Sequence, residues 1–161
     1  MQGSRINLTT KIKIYEAYVT SVMLYNCNSW AAPQAYLDKL DICHRKHLRQ
    51  IIQMTHPHYI KNTTLYKRCN VKPLSERVTY ARWKMLGHIL RSDCISPAQR
   101  ALHFAVESFS SMKGRVGRHQ INIFKTILVD LNKRNIFVNN VNDLYELRVL
   151  ASDRSKWREL F

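Results

Sequence analysis

Residues 74–91 read LSERVTYARWKMLGHILR, and this stretch decides the fold because its apolar residues recur with the spacing of an amphipathic helix. At 100° per residue, one face of that helix carries Leu74, Val78, Ala81, Met85 and Ile89. A narrow neighbouring stripe carries the basic residues Arg77, Lys84, His88 and Arg91. The pattern predicts that core and charge lie on different sides of one helix.

The same helical periodicity recurs along most of the chain. Further helices are predicted at about 11–26, 37–51, 62–69, 97–108, 120–132 and 141–151, with a last short one ending in KWRELF. Glycine and proline number only 4 each, which is few for a protein built of short strands and turns. We therefore expect an all-α fold.

The first of these helices has a predicted cap and a predicted core face. Thr9 and Thr10 are candidate caps. Asn26 suits the end of the helix because asparagine tolerates a positive φ. The core face is predicted to carry Ile14, Tyr15, Tyr18, Val22 and Tyr25.

Basic residues greatly outnumber acidic ones. Lysine and arginine total 26 against 11 aspartate and glutamate, a formal charge of +15. A compact domain with this much self-repulsion is expected to have an anionic partner. Nucleic acid fits best, because each cation placed against a phosphate releases condensed counterions.

Besides the stripe, two groups of cations are candidates for binding phosphates. Arg45, Lys46 and Arg49 lie in the predicted 37–51 helix. Lys113, Arg115 and Arg118 lie in FSSMKGRVGRHQ, which reads as a basic loop. Its GRVG resembles the GxxG loop of KH domains, but KH domains need flanking strands and the neighbouring segments read as helices. Each group is alternatively an ordinary solvated surface.

Candidates for catalysis and metal binding are weak. Asp38 and Asp41 read as complements to a helix dipole, and Cys43, His44 and His47 offer only part of a zinc site. The three tryptophans read as core residues before they read as platforms for stacking bases. We expect no catalytic residue, no metal and no cofactor in this chain.

The cysteines and the hydropathy indicate where the protein works. Cys27, Cys43, Cys69 and Cys94 are scattered, and no leading apolar segment resembles a signal peptide. Charged or polar residues interrupt every apolar run before it reaches membrane-spanning length. We expect an intracellular protein, nuclear or cytoplasmic, that does not contact membranes.

Five segments, in order, resemble the C-terminal part of LINE-type, non-LTR retrotransposon reverse transcriptases. They are KIYEAYVTSVMLYNCNSW (13–30), LDKLDICHRKHLRQII (37–52), LSERVTYARWKMLGHILR (74–91), GRVGR (114–118) and ASDRSKWR (151–158). The resemblance implies a thumb-like helical hairpin at 1–56 and a helical C-terminal extension at 57–161 with a basic loop at 110–120. The family's paired palm aspartates are absent from this sequence, so the resemblance implies grip without chemistry, although the parent family is an RNA-directed DNA polymerase.

The resemblance also implies partners: an RNA template, a DNA primer or their hybrid duplex, and the upstream polymerase palm. The residues implied to face nucleic acid are Arg45, Lys46, Arg49, Arg77, Lys84, His88, Arg91, Lys113, Arg115 and Arg118. The alternative is a repurposed copy that serves as a helical protein-interaction or scaffold module, with its basic face on an acidic protein. An enzyme ranks third because it would need a metal site.

Overall fold

The computed structural model describes residues 6–54, 56–93, 95–109 and 122–160, and within these ranges it contains helices and no strand. The all-α prediction is confirmed. The elements are α1 (Leu8–Tyr15), a π-helical turn (Glu16–Thr20), α2 (Ser21–Met23), a 3-10 turn (Cys27–Ser29), α3 (Gln34–Ile51), α4 (Asn62–Cys69), α5 (Leu74–Arg91), α6 (Pro97–Phe109), α7 (Ile123–Asn132), α8 (Val141–Ser152) and α9 (Arg154–Glu159).

The described residues form two compact units. Unit 1 takes in the described residues up to Cys27 together with Gln34–Val78, and unit 2 takes in Asn28–Pro33 together with the described residues from Thr79 onward. The boundary between these compact units falls within α5, and the division after residue 56 that the resemblance implied stays a prediction. Local sequence signals such as Pro57 mark helix ends, but they do not show which helices share a core.

The core of unit 1 is small and contains several aromatic side chains. Its buried residues are Ile12, Tyr15, Leu48, Leu65 and Cys69. His44, which is 1% exposed, lies beside them, stacked on Tyr15 with 5.8 Å between the ring centroids. α1, α3 and α4 thus pack together through aromatic and aliphatic side chains.

The first helix begins earlier than predicted. Its N-cap is Asn7, whose side-chain oxygen accepts a hydrogen bond from the backbone N–H of Thr10 at 2.8 Å. Thr9 and Thr10 therefore lie inside the first turn, where they cap nothing. The helical segment ends at Met23 with Leu24 as its C-cap, and Asn26, which has a φ of 52°, lies in the turn that follows.

The predicted core face of the first helix is wrong beyond Tyr15. The N–H of Ser21 donates to the carbonyl of Glu16, a five-residue step that makes a π-helical turn. This turn shifts the register, so the buried position after Tyr15 is Thr20. Three residues beyond Tyr15 that were predicted to be core are exposed: Tyr18 (76%), Val22 (73%) and Tyr25 (80%). Ile14 was also predicted to be core and is exposed (46%), but it precedes the π-helical turn, so the turn does not account for it.

The buried face of α5 is rotated from the predicted one. The fully buried positions recur every four residues and are Leu74, Val78, Arg82, Leu86 and Leu90. Of the predicted face, Met85 and Ile89 are half-buried at the margin of the unit 2 core. The prediction of separate core and cationic sides fails for Arg82, which is only 2% exposed.

The core of unit 2 is larger and is centred on two tryptophans. Trp83 and Trp157 stack with their ring centroids 4.0 Å apart. Each indole N–H donates to the other residue's backbone carbonyl, at 2.8 Å from Trp83 and 3.3 Å from Trp157. The other buried members are Leu86, Leu90, Leu102, Ile127, Leu131, Val138, Leu144, Leu147 and Ala151.

Gly87 lets α9 approach α5 closely. A Cβ at this position would meet the Trp157 indole, with Cδ1 at 2.9 Å and Nε1 nearer still. Trp157 cannot easily move aside because it is 3% exposed and stacked on Trp83. The glycine is therefore required by packing.

Gly87→Ala is expected to destabilise unit 2 by about 1 to 3 kcal/mol, the usual cost of overpacking, even though alanine is the better helix former. The measurement is urea unfolding followed by tryptophan fluorescence. In a Trp157→Ala background Gly87→Ala should cost much less, because the indole atoms that the new Cβ would meet are gone. A Gly87→Ala protein more stable than the parent would contradict this packing.

Candidate nucleic-acid interface

α3 holds its cations on the side away from the unit 1 core. Its buried side chains are Leu37, Asp41, His44 and Leu48, spaced three or four residues apart. Lys46 lies on the opposite side and is exposed. Arg49 donates to the amide oxygen of Asn62 at 2.7 Å. Arg45 is half-buried. Of the three predicted cations, Lys46 is therefore the most accessible.

Asp41 has a structural role that the sequence did not predict. It lies two turns into α3, where it is too far from that helix's start to complement its dipole as predicted. Its two carboxylate oxygens instead accept hydrogen bonds from the N–H of Ser75 at 3.0 Å and the hydroxyl of Ser75 at 2.6 Å. Asp41 thereby caps α5 from α3, because the N–H groups in a first helical turn lack partners within the helix.

His44 is a buried histidine with an unusual acidity. Its Nδ1 atom has no hydrogen-bond partner in the structure. Burial lowers the pKa of His44 to about 4, and the nearby carboxylate of Asp41 opposes this shift only in part. His44 is therefore neutral at pH 7. This residue belongs to the core and is unsuited to binding phosphates.

Of the four basic residues in the predicted α5 stripe, two form contacts within the protein and two are exposed. Arg77 forms an ion pair with Glu16 at 3.0 Å, both side chains being about two-fifths exposed (39% and 40%). Arg91 donates through Nη1 to the carbonyl of Ala151 at 2.9 Å. Lys84 and His88 are exposed, with the Lys84 ammonium 5.8 Å from the centre of the Tyr80 ring.

Arg82, in the same helix, is part of a buried ion pair. Its Nη2 lies 2.6 Å from Oδ2 of Asp130, and its Nε donates to the same oxygen at 2.9 Å. Its Nη1 donates to the carbonyl of Trp30 at 3.4 Å. One cation of the α5 sequence is therefore committed to the interior of unit 2.

Sequence reasoning missed two further cations beside Arg91. Arg154 and Arg158 are both exposed and lie one turn apart in α9. The pKa of Arg91 is lowered by burial and then by the positive charges of Arg154 and Arg158. The four-residue spacing in DRSKWR was the signal that could have found them.

The third predicted group of cations, Lys113, Arg115 and Arg118, lies outside the described residues. The same holds for the GRVG segment. Their role stays a prediction.

The described residues also offer no metal site. No group of three or more histidine, cysteine, aspartate or glutamate side chains among them could hold a metal ion. Cys43 and His47 do approach each other, with 3.7 Å between Sγ and Nε2. Trp83 and Trp157 are buried against each other, as expected of core residues, so neither is available to stack on a base.

Comparison of the chain with protein-family models, with curated proteins and with solved structures found no match. The resemblance to retrotransposon reverse transcriptases therefore stays a prediction that depends on the five quoted segments. Within the described ranges, no helix combines the length and the apolar character needed to cross a bilayer.

Proposed function

We propose that the chain is a nucleic-acid-binding module, the thumb and C-terminal fragment of a LINE-type reverse transcriptase, which grips template and primer through their phosphates. One observation carries the proposal. In the described part of the chain, Lys46, Lys84, His88, Arg154 and Arg158 are among the exposed basic side chains that have no carboxylate of a described residue within 4.0 Å. A chain of net charge +15 has too few acids to neutralise them.

The position of these cations suits binding to a phosphate backbone. They lie on the exposed sides of helices whose other sides are buried, so contact with a polyanion requires no refolding. Lysine and arginine side chains that meet phosphates fix register and orientation but do not read bases. The proposed partners are an RNA template, a DNA primer or their hybrid, together with the upstream palm. The proposed location is intracellular, in the nucleus or cytoplasm, and the chain has no catalytic site of its own.

Binding to an RNA/DNA hybrid is expected to weaken steeply with salt. Each phosphate contacted should contribute about 0.9 to the slope of log affinity against log salt. Fluorescence anisotropy with hybrids of two unrelated sequences, at several salt concentrations, measures both the slope and the sequence preference. We expect a slope of several units and similar affinities for the two sequences.

A pair of variants shows whether the named cations contribute. Lys46→Gln with Lys84→Gln should reduce the slope by about 1 to 2 units. The control, Arg68→Gln with Arg100→Gln, removes the same charge from exposed positions in α4 and α6, which the proposal does not assign to the phosphate contacts. Affinity that does not depend on salt would overturn the proposed function.

The alternative function, a helical protein-interaction module with an acidic partner, is favoured by one specific observation. Three apolar side chains close together in sequence are more than 70% exposed: Tyr18 (76%) in the π-helical turn, Val22 (73%) in α2 and Tyr25 (80%) just beyond α2. Exposed apolar stripes of this kind often mark protein contacts. Retention of a protein partner after nuclease digestion, together with weak hybrid binding, would favour this alternative over the proposed function.

A further inference from the structure

α9 is fixed in place more firmly than its six residues alone would allow. Asp153 caps it, accepting hydrogen bonds from the N–H groups of Ser155 at 2.9 Å and Lys156 at 3.2 Å. Trp157 anchors it in the unit 2 core through the stack on Trp83. Because Gly87 has no side chain, α9 lies directly against α5. The backbone that carries Arg154 and Arg158 is therefore rigid.

Arg91, in α5, is fixed close to the start of α9. It lies in the last turn of α5, one turn beyond Gly87. Its Nη1 donates to the carbonyl of Ala151, a buried residue three positions before Arg154. A guanidinium has five N–H groups, so this hydrogen bond to a described residue leaves Arg91 with further donors.

The charges of Arg154 and Arg158 oppose that of Arg91, and Asp153, at the start of α9, forms its ion pair with Lys156. Arg154 and Arg158 are close enough to Arg91 to disfavour its charge. Asp153 is engaged in capping α9 and lies 3.7 Å from Lys156, within the same helix. The fold thus maintains three like charges together at a cost that a bound anion would relieve.

Phosphate is the anion whose chemistry fits best. Guanidinium groups present paired N–H donors that match the oxygens of a phosphate, and they shed their weak hydration more easily than ammonium groups do. Arg154 and Arg158 are exposed, so a polymer can cross the cluster and continue beyond it on both sides.

We propose that Arg91, Arg154 and Arg158 form one phosphate-binding site for the backbone of a nucleic acid, with Arg91 as the anchored member. The inference rests on the proposed function, and it adds two residues and a specific geometry to it. Arg91 supplies a partly desolvated charge at the base of the site. Arg154 and Arg158 contact the same phosphate or its neighbour from one side of α9.

The test uses the full chain and an RNA/DNA hybrid as the probe. Arg154→Gln with Arg158→Gln is expected to weaken binding about 10-fold at physiological salt and to reduce the salt slope by about 1 to 2 units. The charge-matched control, Arg68→Gln with Arg100→Gln, should change affinity by less than about 3-fold, because salt screens the interaction of distant charges with the phosphates. Tryptophan fluorescence should report unchanged unfolding for both variants, since all the substituted side chains are exposed.

A lysine pair separates charge from geometry. Arg154→Lys with Arg158→Lys should keep most of the salt slope, because the charge is retained, while affinity falls between the parent and the glutamine pair. Glutamine and control pairs that weaken binding equally would overturn the site but leave the proposed function intact. If the parent chain itself fails to bind the hybrid, the proposed function fails and the site fails with it.

Discussion

Asp130→Ala is expected to lower the free energy of unfolding of unit 2 by about 3 to 5 kcal/mol, the usual cost of breaking a buried ion pair from one side. The substitution leaves the guanidinium of Arg82, which is 2% exposed, without its two contacts to Oδ2. The hydrogen bond from Arg82 to the Trp30 carbonyl would remain, but it is long at 3.4 Å. A buried charge with so little compensation strongly disfavours the folded state.

Urea unfolding followed by tryptophan fluorescence measures this loss selectively. All 3 tryptophans of the chain, Trp30, Trp83 and Trp157, belong to unit 2. Far-ultraviolet circular dichroism, which detects helices of both units, should then show whether unit 1 unfolds separately.

Two further variants make the result specific to the pair. Arg82→Met with Asp130→Ala should be more stable than Asp130→Ala alone by about 2 kcal/mol, because no unpaired charge stays buried. Lys156→Ala breaks the exposed Lys156–Asp153 pair, and it should cost less than about 1 kcal/mol. Equal losses from Asp130→Ala and Lys156→Ala would show that the buried pair is energetically unimportant.

The helix positions could be predicted because local signals determine them. Pro97 begins α6, and Pro73 immediately precedes α5. Asn26, in the turn after the first helical segment, has the positive φ that asparagine tolerates. Each of these residues acts through its own backbone or its immediate neighbours, so a reader of the sequence has all the necessary information.

The faces of the helices were harder to predict, for two physical reasons. In the first helix the π-helical turn adds one residue to a turn, and every later side chain moves to a different side. In α5 the burial of Arg82 depends on Asp130, which lies 48 residues away in sequence. An arginine is expected at the surface because it is charged, and its burial here requires a partner that is distant in sequence.

The candidate site shows the same division. Sequence composition indicated a polyanion partner and singled out Arg91, because both depend on charge alone. The contribution of Arg154 and Arg158 depends on the contact between Gly87 and Trp157, which brings α9 onto α5. A glycine in a helical sequence does not by itself indicate which residue will pack against it.

Unit 1 is expected to lose about 3 kcal/mol of stability through His44 as the pH falls from 7 to 4. The folded pKa of His44 is about 4, below its ordinary value of 6.5, because burial disfavours the charged imidazole. Arg77, His47 and Arg45 add smaller effects in the same direction, and Asp41 opposes them. Between these two pH values the unfolded chain binds a proton that the folded chain does not, so stability falls as the pH falls.

His44→Phe should remove this part of the pH dependence. Phenylalanine keeps a flat ring for the stack on Tyr15 and the tilted contact with Tyr66, whose centroid lies 5.7 Å away. It also removes a buried nitrogen that has no hydrogen-bond partner. Because phenylalanine is larger than histidine, the variant should lose no more than about 1 to 3 kcal/mol at pH 7, the usual range for added volume in a packed core.

Urea unfolding at pH 7, 6, 5 and 4, followed by circular dichroism, measures the effect, and the imidazole resonances of the folded protein give the pKa of His44 directly. His58→Gln is the matched control because His58 is exposed. The control should keep the acid sensitivity of the parent, while His44→Phe should unfold at more nearly constant urea concentration across this range. If His44→Phe loses stability with acid as steeply as the parent and the control, then protonation of His44 does not drive the acid unfolding of unit 1, and its burial as a neutral ring is wrong.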